Sequence, residues 1–209
     1  MKQFHIAVIA GDGIGPEVIA EGKKVFSGIA QMDGTFSVTF EDFPWGCEYY
    51  LKSGEMMPEN GLDLLRGYDA IYLGAVGYPG VPDHVSLGDL LLCIRRGFDE
   101  YINLRPVRLL HGAPCPLADI SPRDIDMIVV RENSEGEYAN VGALLYPGTP
   151  RETALQTGVF SRHGCERVIR YAYELARREK RTLTSISKGN ALRYSMVFWD
   201  EIFAEIGKE

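Results

Sequence analysis

The stretch FHIAVIAGDGIGPEV, residues 4–18, decides the fold class of this chain. Its apolar run, residues 4–10, predicts a short buried strand. A helix is predicted to follow from Pro16 to about Ile29, because proline is favoured in the first turn of a helix. A buried strand that turns directly into a helix is typical of α/β proteins.

The same alternation of strand and helix continues along the chain. Further strands are predicted at residues 35–41, 69–73, 107–110, 126–130 and 182–187. Helices are predicted at residues 51–67 (in pieces), 87–101, 164–180 and 191–206. This order indicates an α/β architecture with a largely parallel sheet.

Residues 138–162 do not fit the alternation. The turn residues Pro147, Gly148 and Pro150 separate short runs of alternating polarity. Such a pattern predicts an antiparallel excursion. It serves either as an arm that pairs with another subunit or as a plain surface hairpin.

Composition excludes several classes of protein. The net charge of the 209 residues is −7, which argues against nucleic-acid binding, because phosphate neutralisation needs a basic face. The four cysteines are irregularly spaced and form no C-x-x-C pair, so reduced thiols are expected rather than disulfides or a zinc site. The apolar run near the N-terminus is too short to span a membrane, so we expect no membrane partner and a cytoplasmic location.

The glycines at positions 11, 13 and 15 resemble a dinucleotide-binding fingerprint but do not match its spacing. The third glycine of G-x-G-x-x-G would stand at position 16, which is Pro16. Glu17 would also compete with a phosphate for the positive end of the helix. The glycines are therefore predicted to serve a tight strand-to-helix turn.

Two arginines stand next to apolar, strand-like runs. Arg105 precedes one such run, and Arg131 ends the predicted strand at residues 126–130. One interpretation is structural, with ion pairs to neighbouring acidic residues such as Asp99, Glu100 or Glu132. The other is a clamp for a small di-anion, because the planar guanidinium fork binds carboxylates with two hydrogen bonds.

Tyr138 and Lys188 extend the second interpretation. A tyrosine is most often a packing residue and a lysine a solvated charge. Lys188, however, directly follows the predicted strand at residues 182–187, and α/β proteins place ligands at the carboxyl ends of strands. Together with the arginines, the phenol and the amine predict an acid–base site.

Four motifs, GDGIGPEV, INLRPVRL, VVRENSEGEY and SISKGNAL, occur in this order along the chain. With them the chain resembles the metal-dependent β-decarboxylating dehydrogenases, the isocitrate/isopropylmalate dehydrogenase family. The segment GVPDHVSL, followed by IRRGFDEYINLRPVRL, is most similar to the tartrate/D-malate branch. The resemblance implies an isopropylmalate-dehydrogenase-like two-domain α/β fold that is incomplete at the C-terminus. Residues 1–100 would belong to the first domain and residues 101–209 to the second, with a dimerisation arm at about 138–162.

The resemblance also implies roles for individual residues. The substrate-binding residues that it implies are Arg95, Arg105 and Arg131. The catalytic residues that it implies are Tyr138 and Lys188. The residues that it places near the nicotinamide end of the cofactor are Val76, Gly77, Leu87 and Asn190.

The implied reaction is an NAD-dependent oxidative decarboxylation of a malate-like acid, D-malate or tartrate, with Mg²⁺ or Mn²⁺. A homodimer with shared active sites is implied as well. No metal ligand is implied within these 209 residues, and Asp200 is interpreted as a surface carboxylate. Gly88 and Asp89 depart from the branch, which usually has Trp and Gly at these two positions. The alternatives are a truncated, non-catalytic dimerising or ligand-binding relative and a 3-isopropylmalate dehydrogenase.

Overall fold

The computed structural model describes all residues from Met1 to Glu209. The chain divides into two compact units, Met1–Phe98 and Asp99–Glu209, which are described separately. No helix in either unit combines the length and the apolar character that crossing a membrane would require.

A three-stranded parallel sheet forms the centre of the first unit. Strand β1 (Lys2–Gly11) lies between β2 (Phe36–Asp42) and β3 (Ala70–Ala75) and pairs with both. Residues Ala7, Val8 and Ile9 of β1 are completely buried. A central parallel strand is covered on both faces, which explains why this strand is a continuous apolar run rather than an alternating one.

Five helices, one long and four short, connect the strands and cover the sheet of the first unit. They are α1 (Gly15–Asp33), α2 (Cys47–Ser53), α3 (Gly61–Leu65), α4 (Asp83–Ser86) and α5 (Leu92–Gly97). On one side, Phe26 of α1 packs edge-on against Tyr72 of β3. A second apolar cluster gathers Ala7 and Ile9 with side chains from the connections, among them Trp45, Met56, Leu65, Leu90 and Ile94.

The helix predicted at residues 87–101 is only partly correct. Residues Leu87–Leu91 form a π-helical turn between α4 and α5, and α5 ends at Gly97. Asp99 has a left-handed backbone conformation with φ of 50°, which ends the helical path before Tyr101. A periodic pattern does not reveal such a change of backbone conformation.

The second unit contains two antiparallel ladders. Strand β4 (Ile102–Arg108) pairs with β5 (Asp126–Glu132), and β6 (Gly136–Leu145) pairs with β7 (Thr153–Val159) as a hairpin. The expectation of a largely parallel sheet is therefore right for the first unit and wrong for the second.

Two helices cover the β4–β5 ladder. Helix α6 (Arg162–Glu179) and helix α7 (Ser195–Ile206) share a small apolar core, which includes Cys165, Val168, Ile169, Ile202 and Ile206. Tyr101, Ile102 and Val130 pack against that core. The ladder is thus held by helices on one face.

The strand predicted at residues 182–187 is not formed. Thr182–Ser187 has the alternating burial of an extended chain, but it makes no backbone ladder. The segment and β5 line the same cavity of about 840 Å³, together with residues of α6 and α7. The segment therefore stays extended without being a strand, because a strand exists only where a partner supplies the ladder.

Candidate active site

Arg131 and Tyr138 are in direct contact. The Arg131 guanidinium donates a hydrogen bond from Nη2 to the Tyr138 hydroxyl, and it also lies 4.9 Å from the centre of the phenol ring. Arg131 is near the end of β5 and Tyr138 near the start of β6, and both are half-buried. The phenol oxygen accepts from a cation, so its own O–H remains available as a donor.

The polar turn between the two residues is held together by Glu132. Its carboxylate accepts hydrogen bonds from the Ser134 backbone N–H at 2.9 Å, the Ser134 hydroxyl at 2.7 Å and the Glu135 N–H at 2.8 Å. These bonds reverse the chain directly after Arg131 and bring Tyr138 back to it. Glu132 therefore acts on the backbone and makes no ion pair with Arg131.

Glu135 attaches the same turn to helix α6. Its carboxylate accepts from the Ser161 N–H at 2.8 Å and from the Ser161 hydroxyl at 2.5 Å. Ser161 is the N-cap of α6, and its oxygen accepts from the Gly164 N–H at 2.9 Å. A side chain at position 164 would collide with Glu135, so Gly164 leaves room for this contact.

A second arginine braces the turn from the side of α6. Arg167 donates to Asp99 at 2.7 Å and to the Ser134 hydroxyl at 2.9 Å, and its guanidinium lies 4.3 Å from the centre of the Tyr101 ring. Asn133 is buried, and its amide donates to the Glu100 carbonyl at 2.9 Å. The segments before β4 and after β5 are thus fixed against each other.

Tyr138 also lies in an irregular part of its hairpin. The β6–β7 register shifts between Gly136 and Val141, and Asn140 within this interval has a positive φ of 55°. Such irregularities bend a strand and redirect its side chains. The shift allows Tyr138 to face Arg131 while the rest of the hairpin continues regularly.

Arg105 lies on the same ladder face as Arg131. In the β4–β5 register Asn103 is opposite Arg131, and Arg105 is two residues further along β4, so the side chains of all three share one face. Asn103 accepts a hydrogen bond from Arg105 Nε at 2.8 Å. Neither Arg105 nor Arg131 forms an ion pair, because Asp99 is bound to Arg167 instead.

Lys188 follows the extended segment and begins a tight turn. Its carbonyl accepts from the N–H groups of Ala191 and Leu192, and its exposed ammonium makes no hydrogen bond or ion pair. Asn190 lies in the same turn and borders an open cavity of about 650 Å³. Asp200 of α7 accepts from the Ser187 hydroxyl at 2.9 Å and thereby holds the turn.

The other predicted site residues belong to the first unit. Arg95 lies in α5. Val76 and Gly77 directly follow β3, and Leu87 begins the π-helical turn with an exposed side chain. The structure therefore joins Arg131 to Tyr138 and places Arg105 on the same ladder face. Lys188 and Asn190 share one turn, Val76 and Gly77 share one loop, and Arg95 and Leu87 lie on other elements.

The family described as isocitrate/isopropylmalate dehydrogenase matches residues 5–209 of this chain. The chain belongs to this family. A structure of the isocitrate dehydrogenase from Methylococcus capsulatus superposes with a TM-score of 0.82 at 29% identity, covering 100% of this chain and 57% of that one. The predicted α/β fold of the isocitrate/isopropylmalate dehydrogenase type is thereby confirmed.

Curated relatives within the isocitrate/isopropylmalate dehydrogenase family are more similar in sequence. A probable tartrate dehydrogenase/decarboxylase of Agrobacterium vitis is 48% identical over 100% of this chain and 59% of its own length. The decarboxylating D-malate dehydrogenase of Escherichia coli is 52% identical over 96% of this chain and 56% of its own length. The predicted resemblance to the tartrate/D-malate branch is confirmed. The chain spans just under three fifths of the length of these relatives.

Two features of the chain bear on the implied cofactors. No three His, Cys, Asp or Glu side chains of this chain come together as a group that could hold a metal ion. In the loop after β3, a Cβ built on Gly77 or Gly80 meets no atom within 4 Å, and the same holds for Gly88 in the π-helical turn, so the backbone is open at these positions.

Several residues that shape the site were missed in the sequence. Glu132 and Glu135 stand in the motif VVRENSEGEY, but their bonds go to the backbone and to Ser161 rather than to Arg131. Ser161, directly before the charged helix, is a recognisable N-cap signal. Arg167 carries no local signal, because its partners Asp99 and Tyr101 lie more than 60 residues away in sequence.

Proposed function

We propose that this chain carries the acid-binding and proton-transferring side chains of an NAD-dependent oxidative decarboxylation. The substrate would be a malate-like 2-hydroxy dicarboxylic acid, D-malate or tartrate. The contact between Arg131 and Tyr138, with Arg105 on the same ladder face, is the observation that carries the proposal. The names of the similar relatives from Agrobacterium vitis and Escherichia coli support this class of substrate.

The arginines account for binding of the acid. Neither Arg105 nor Arg131 is committed to a carboxylate of the protein, so both guanidinium groups can bind carboxylates of a ligand. A planar guanidinium binds a carboxylate with two parallel hydrogen bonds, which fixes orientation as well as charge. Arg95 remains the third proposed substrate arginine.

Bound NAD supplies the acceptor for the hydride that leaves the hydroxyl-bearing carbon of the acid. The Lys188 amine, or a water that it orders, accepts the hydroxyl proton, so that carbon becomes a ketone. The bond between the carbon next to this ketone and the carboxylate that it carries then breaks, which releases carbon dioxide and leaves an enolate. Tyr138 donates its proton to the enolate carbon, while Arg131 holds the phenol oxygen in place.

A Tyr138→Phe variant tests the proposal. Loss of a general acid typically lowers the rate by about 10²–10⁴-fold, so we expect kcat for decarboxylation to fall by that amount. Tyr146→Phe is a matched control, because Tyr146 also lies against an arginine, Arg151, at 4.8 Å but stands at the exposed tip of the hairpin.

The assay follows NADH formation with D-malate, tartrate and 3-isopropylmalate in the presence of Mn²⁺. An equal effect of both tyrosine variants would contradict the role of Tyr138. A preference for 3-isopropylmalate would instead favour the related dehydrogenase that acts on the branched acid.

A non-catalytic function is the second candidate, favoured by the lack of a three-ligand metal cluster among these residues. A ligand-binding relative would bind malate through Arg105 and Arg131 with no dependence on a metal. Calorimetry with malate, with and without Mn²⁺, separates the two functions. Binding that is unchanged by Mn²⁺, together with no NADH formation, would support this second function.

We also propose that the hairpin β6–β7 pairs with a second copy of the chain in a homodimer. Val141, Leu145 and Leu155 share one face of the hairpin and are 46%, 40% and 49% exposed. A two-stranded ribbon is only marginally stable in water, so an apolar face of this kind favours a partner. Sedimentation of a Leu155→Lys variant tests this, since a lysine there should shift the protein towards the monomer. A cytoplasmic location of the protein is proposed separately.

A further inference from the structure

Asp12 is the only carboxylate among the buried residues of the chain, at 3% exposure. It stands in the turn between β1 and α1. Its Oδ1 accepts from the Cys47 backbone N–H at 2.8 Å, and its Oδ2 accepts from the Gly77 N–H at 3.0 Å. Its own N–H donates to the Ala75 carbonyl at 2.7 Å. One side chain thus joins the first turn, the start of α2 and the loop after β3.

Backbone amides bind both oxygens of this carboxylate. The Cys47 and Gly77 N–H groups donate to it, as a cation would in an ion pair. A buried charge is retained only where such hydrogen bonds compensate its lost hydration. The surroundings are close-packed as well, since a Cβ added at Gly46 would lie 2.9 Å from Oδ1.

The neighbouring thiol adds no second charge. Burial, followed by the hydrogen bond to Asp12, raises the pKa of the Cys47 thiol to about 11. The thiol is therefore protonated at neutral pH and can donate to the carboxylate. Asp12 is the charged centre of this cluster.

The loop that follows β3 receives this contact at Gly77. Gly77 has φ of 137°, a conformation that residues with a Cβ rarely adopt, so the backbone there requires glycine. Between Val76 and Val81 two side chains bind the loop backbone: Asp12 accepts from the Gly77 N–H, and the Cys47 thiol is hydrogen-bonded to backbone groups of Gly77 and Tyr78. Within the loop, the Val81 N–H donates to the Tyr78 carbonyl. No helix or strand hydrogen bonds support the segment.

We infer that Asp12 is a positioning residue, which holds the Gly77 loop in the conformation that receives the nicotinamide end of NAD. This inference rests on the proposed NAD-dependent function and on the family resemblance, which places Val76, Gly77 and Leu87 near the nicotinamide end of the cofactor. It gives a role to the carboxylate of the GDG turn that differs from phosphate binding. Asp12 acts on the cofactor through the loop and does not touch it.

An Asp12→Asn variant tests the inference with little change of shape. One side-chain oxygen still accepts one amide, whereas the new NH₂ group faces the other N–H and cannot accept from it. Loss of one hydrogen bond to a charged acceptor corresponds to about a tenfold change in an equilibrium. We expect KM for NAD to rise about tenfold, with KM for the acid and kcat at saturating NAD nearly unchanged.

Hydrogen exchange provides a readout that does not require activity. The Gly77 amide should exchange about tenfold faster in Asp12→Asn, because its acceptor is weakened. Asp69→Asn is the matched control, since Asp69 is an exposed carboxylate of the same unit that accepts the His5 N–H at 2.8 Å. The control should leave both Gly77 exchange and KM for NAD unchanged.

The outcomes separate the inference from the function on which it rests. Faster Gly77 exchange together with a raised KM for NAD, in Asp12→Asn only, supports the inference. A wild-type protein that reduces NAD, with an Asp12→Asn variant that changes neither quantity or only lowers the melting temperature, overturns the inference alone. A wild-type protein that does not bind NAD overturns the proposed function, and the inference with it.

Discussion

Strands β1 and β5 both run into a polar, acidic turn, and the two turns use their charges differently. After β1 the acidic side chain, Asp12, is buried and binds backbone amides from two distant segments. After β5 the acidic side chains, Glu132 and Glu135, bind the turn itself and the start of α6. In both turns the carboxylates organise the backbone. Only the second turn adds a cation and a phenol, Arg131 and Tyr138.

The difference shows which features of a polar turn indicate chemistry. The glycines and the carboxylate of the first turn are explained by its geometry. A Cβ at Gly11, for example, would lie 2.0 Å from the Ala75 carbonyl oxygen. A guanidinium and a phenol that contact each other, with no carboxylate partner, are not needed to hold the second turn. These two side chains are therefore the ones expected to act on a ligand.

After Tyr138→Phe, the largest expected effect comes from the cation of the second turn. An Arg131→Lys variant keeps the positive charge but loses the planar fork, which binds the phenol oxygen and can bind a carboxylate. We expect kcat/KM for the acid to fall by about 10²-fold, the equivalent of one charged hydrogen bond at about 1.5–3 kcal/mol. Steady-state kinetics with D-malate or tartrate measures this.

The hairpin provides the control for this variant. Arg151 lies against Tyr146 much as Arg131 lies against Tyr138, so Arg151→Lys changes the same type of contact at an exposed position. It should leave kcat/KM unchanged. A comparable loss in both variants would show that the contact matters for structure and not for catalysis.

The sequence predicts the strands of these turns better than it predicts their contacts. The apolar runs of β1 and β5 and the helical pattern of α1 and α6 are local, and the structure contains all four elements. Asp12 could be assigned only to a turn, because its partners lie 35 and 65 residues away in sequence. A carboxylate that binds backbone amides leaves no pattern at its partner positions.

The extended segment Thr182–Ser187 also depends on a distant contact. For Asp12 the sequence missed contacts that exist, whereas here it predicts a strand pairing that does not exist. Its β-branched and alternating residues predicted a strand, yet the ladder that defines one is absent. Pairing depends on a distant neighbour, which local composition cannot supply. The candidate site likewise shows that only local features could be predicted. Arg131 and Tyr138 could be named from one motif, whereas the contacts of Arg167 with distant residues could not.

A smaller effect is expected from the carboxylate that attaches the second turn to α6. In Glu135→Gln one oxygen still accepts a hydrogen bond from Ser161, while the other acceptor is replaced by a donor. We expect the free energy of unfolding to fall by about 1–2 kcal/mol, the usual cost of a lost cap or charged hydrogen bond. Urea denaturation measures the change.

Glu137→Gln is the matched control for that measurement. Glu137 lies two residues further along the same segment but is exposed, and its side chain makes no hydrogen bond or ion pair. It should change the unfolding free energy by less than about 0.5 kcal/mol. If the two variants had equal stability, the second turn would not depend on its carboxylate as the first does.

The smallest expected effect lies at the other end of β5, where Asp126 binds Arg181 just before the unpaired segment. Asp126 accepts from Arg181 at 3.1 Å and from Arg108 at 3.2 Å. Burial acts to raise the pKa of its carboxyl, but the hydrogen bonds from Arg181 and Arg108 outweigh it and hold the pKa below the usual value. The folded chain therefore binds this proton less readily than the unfolded chain.

The sign of the pH dependence follows from that lowered pKa. The stabilisation by Asp126 is fully present above the ordinary aspartate pKa of about 3.9, and it is lost as the pH falls through the lower folded pKa. The urea midpoint, followed by the fluorescence of Trp199, should drop between pH 5 and pH 3 by less in Asp126→Asn than in the wild type. Asp119→Asn, at an exposed carboxylate without a hydrogen bond, should retain the wild-type slope. A wild-type slope in Asp126→Asn would mean that this ion pair does not hold the segment against β5.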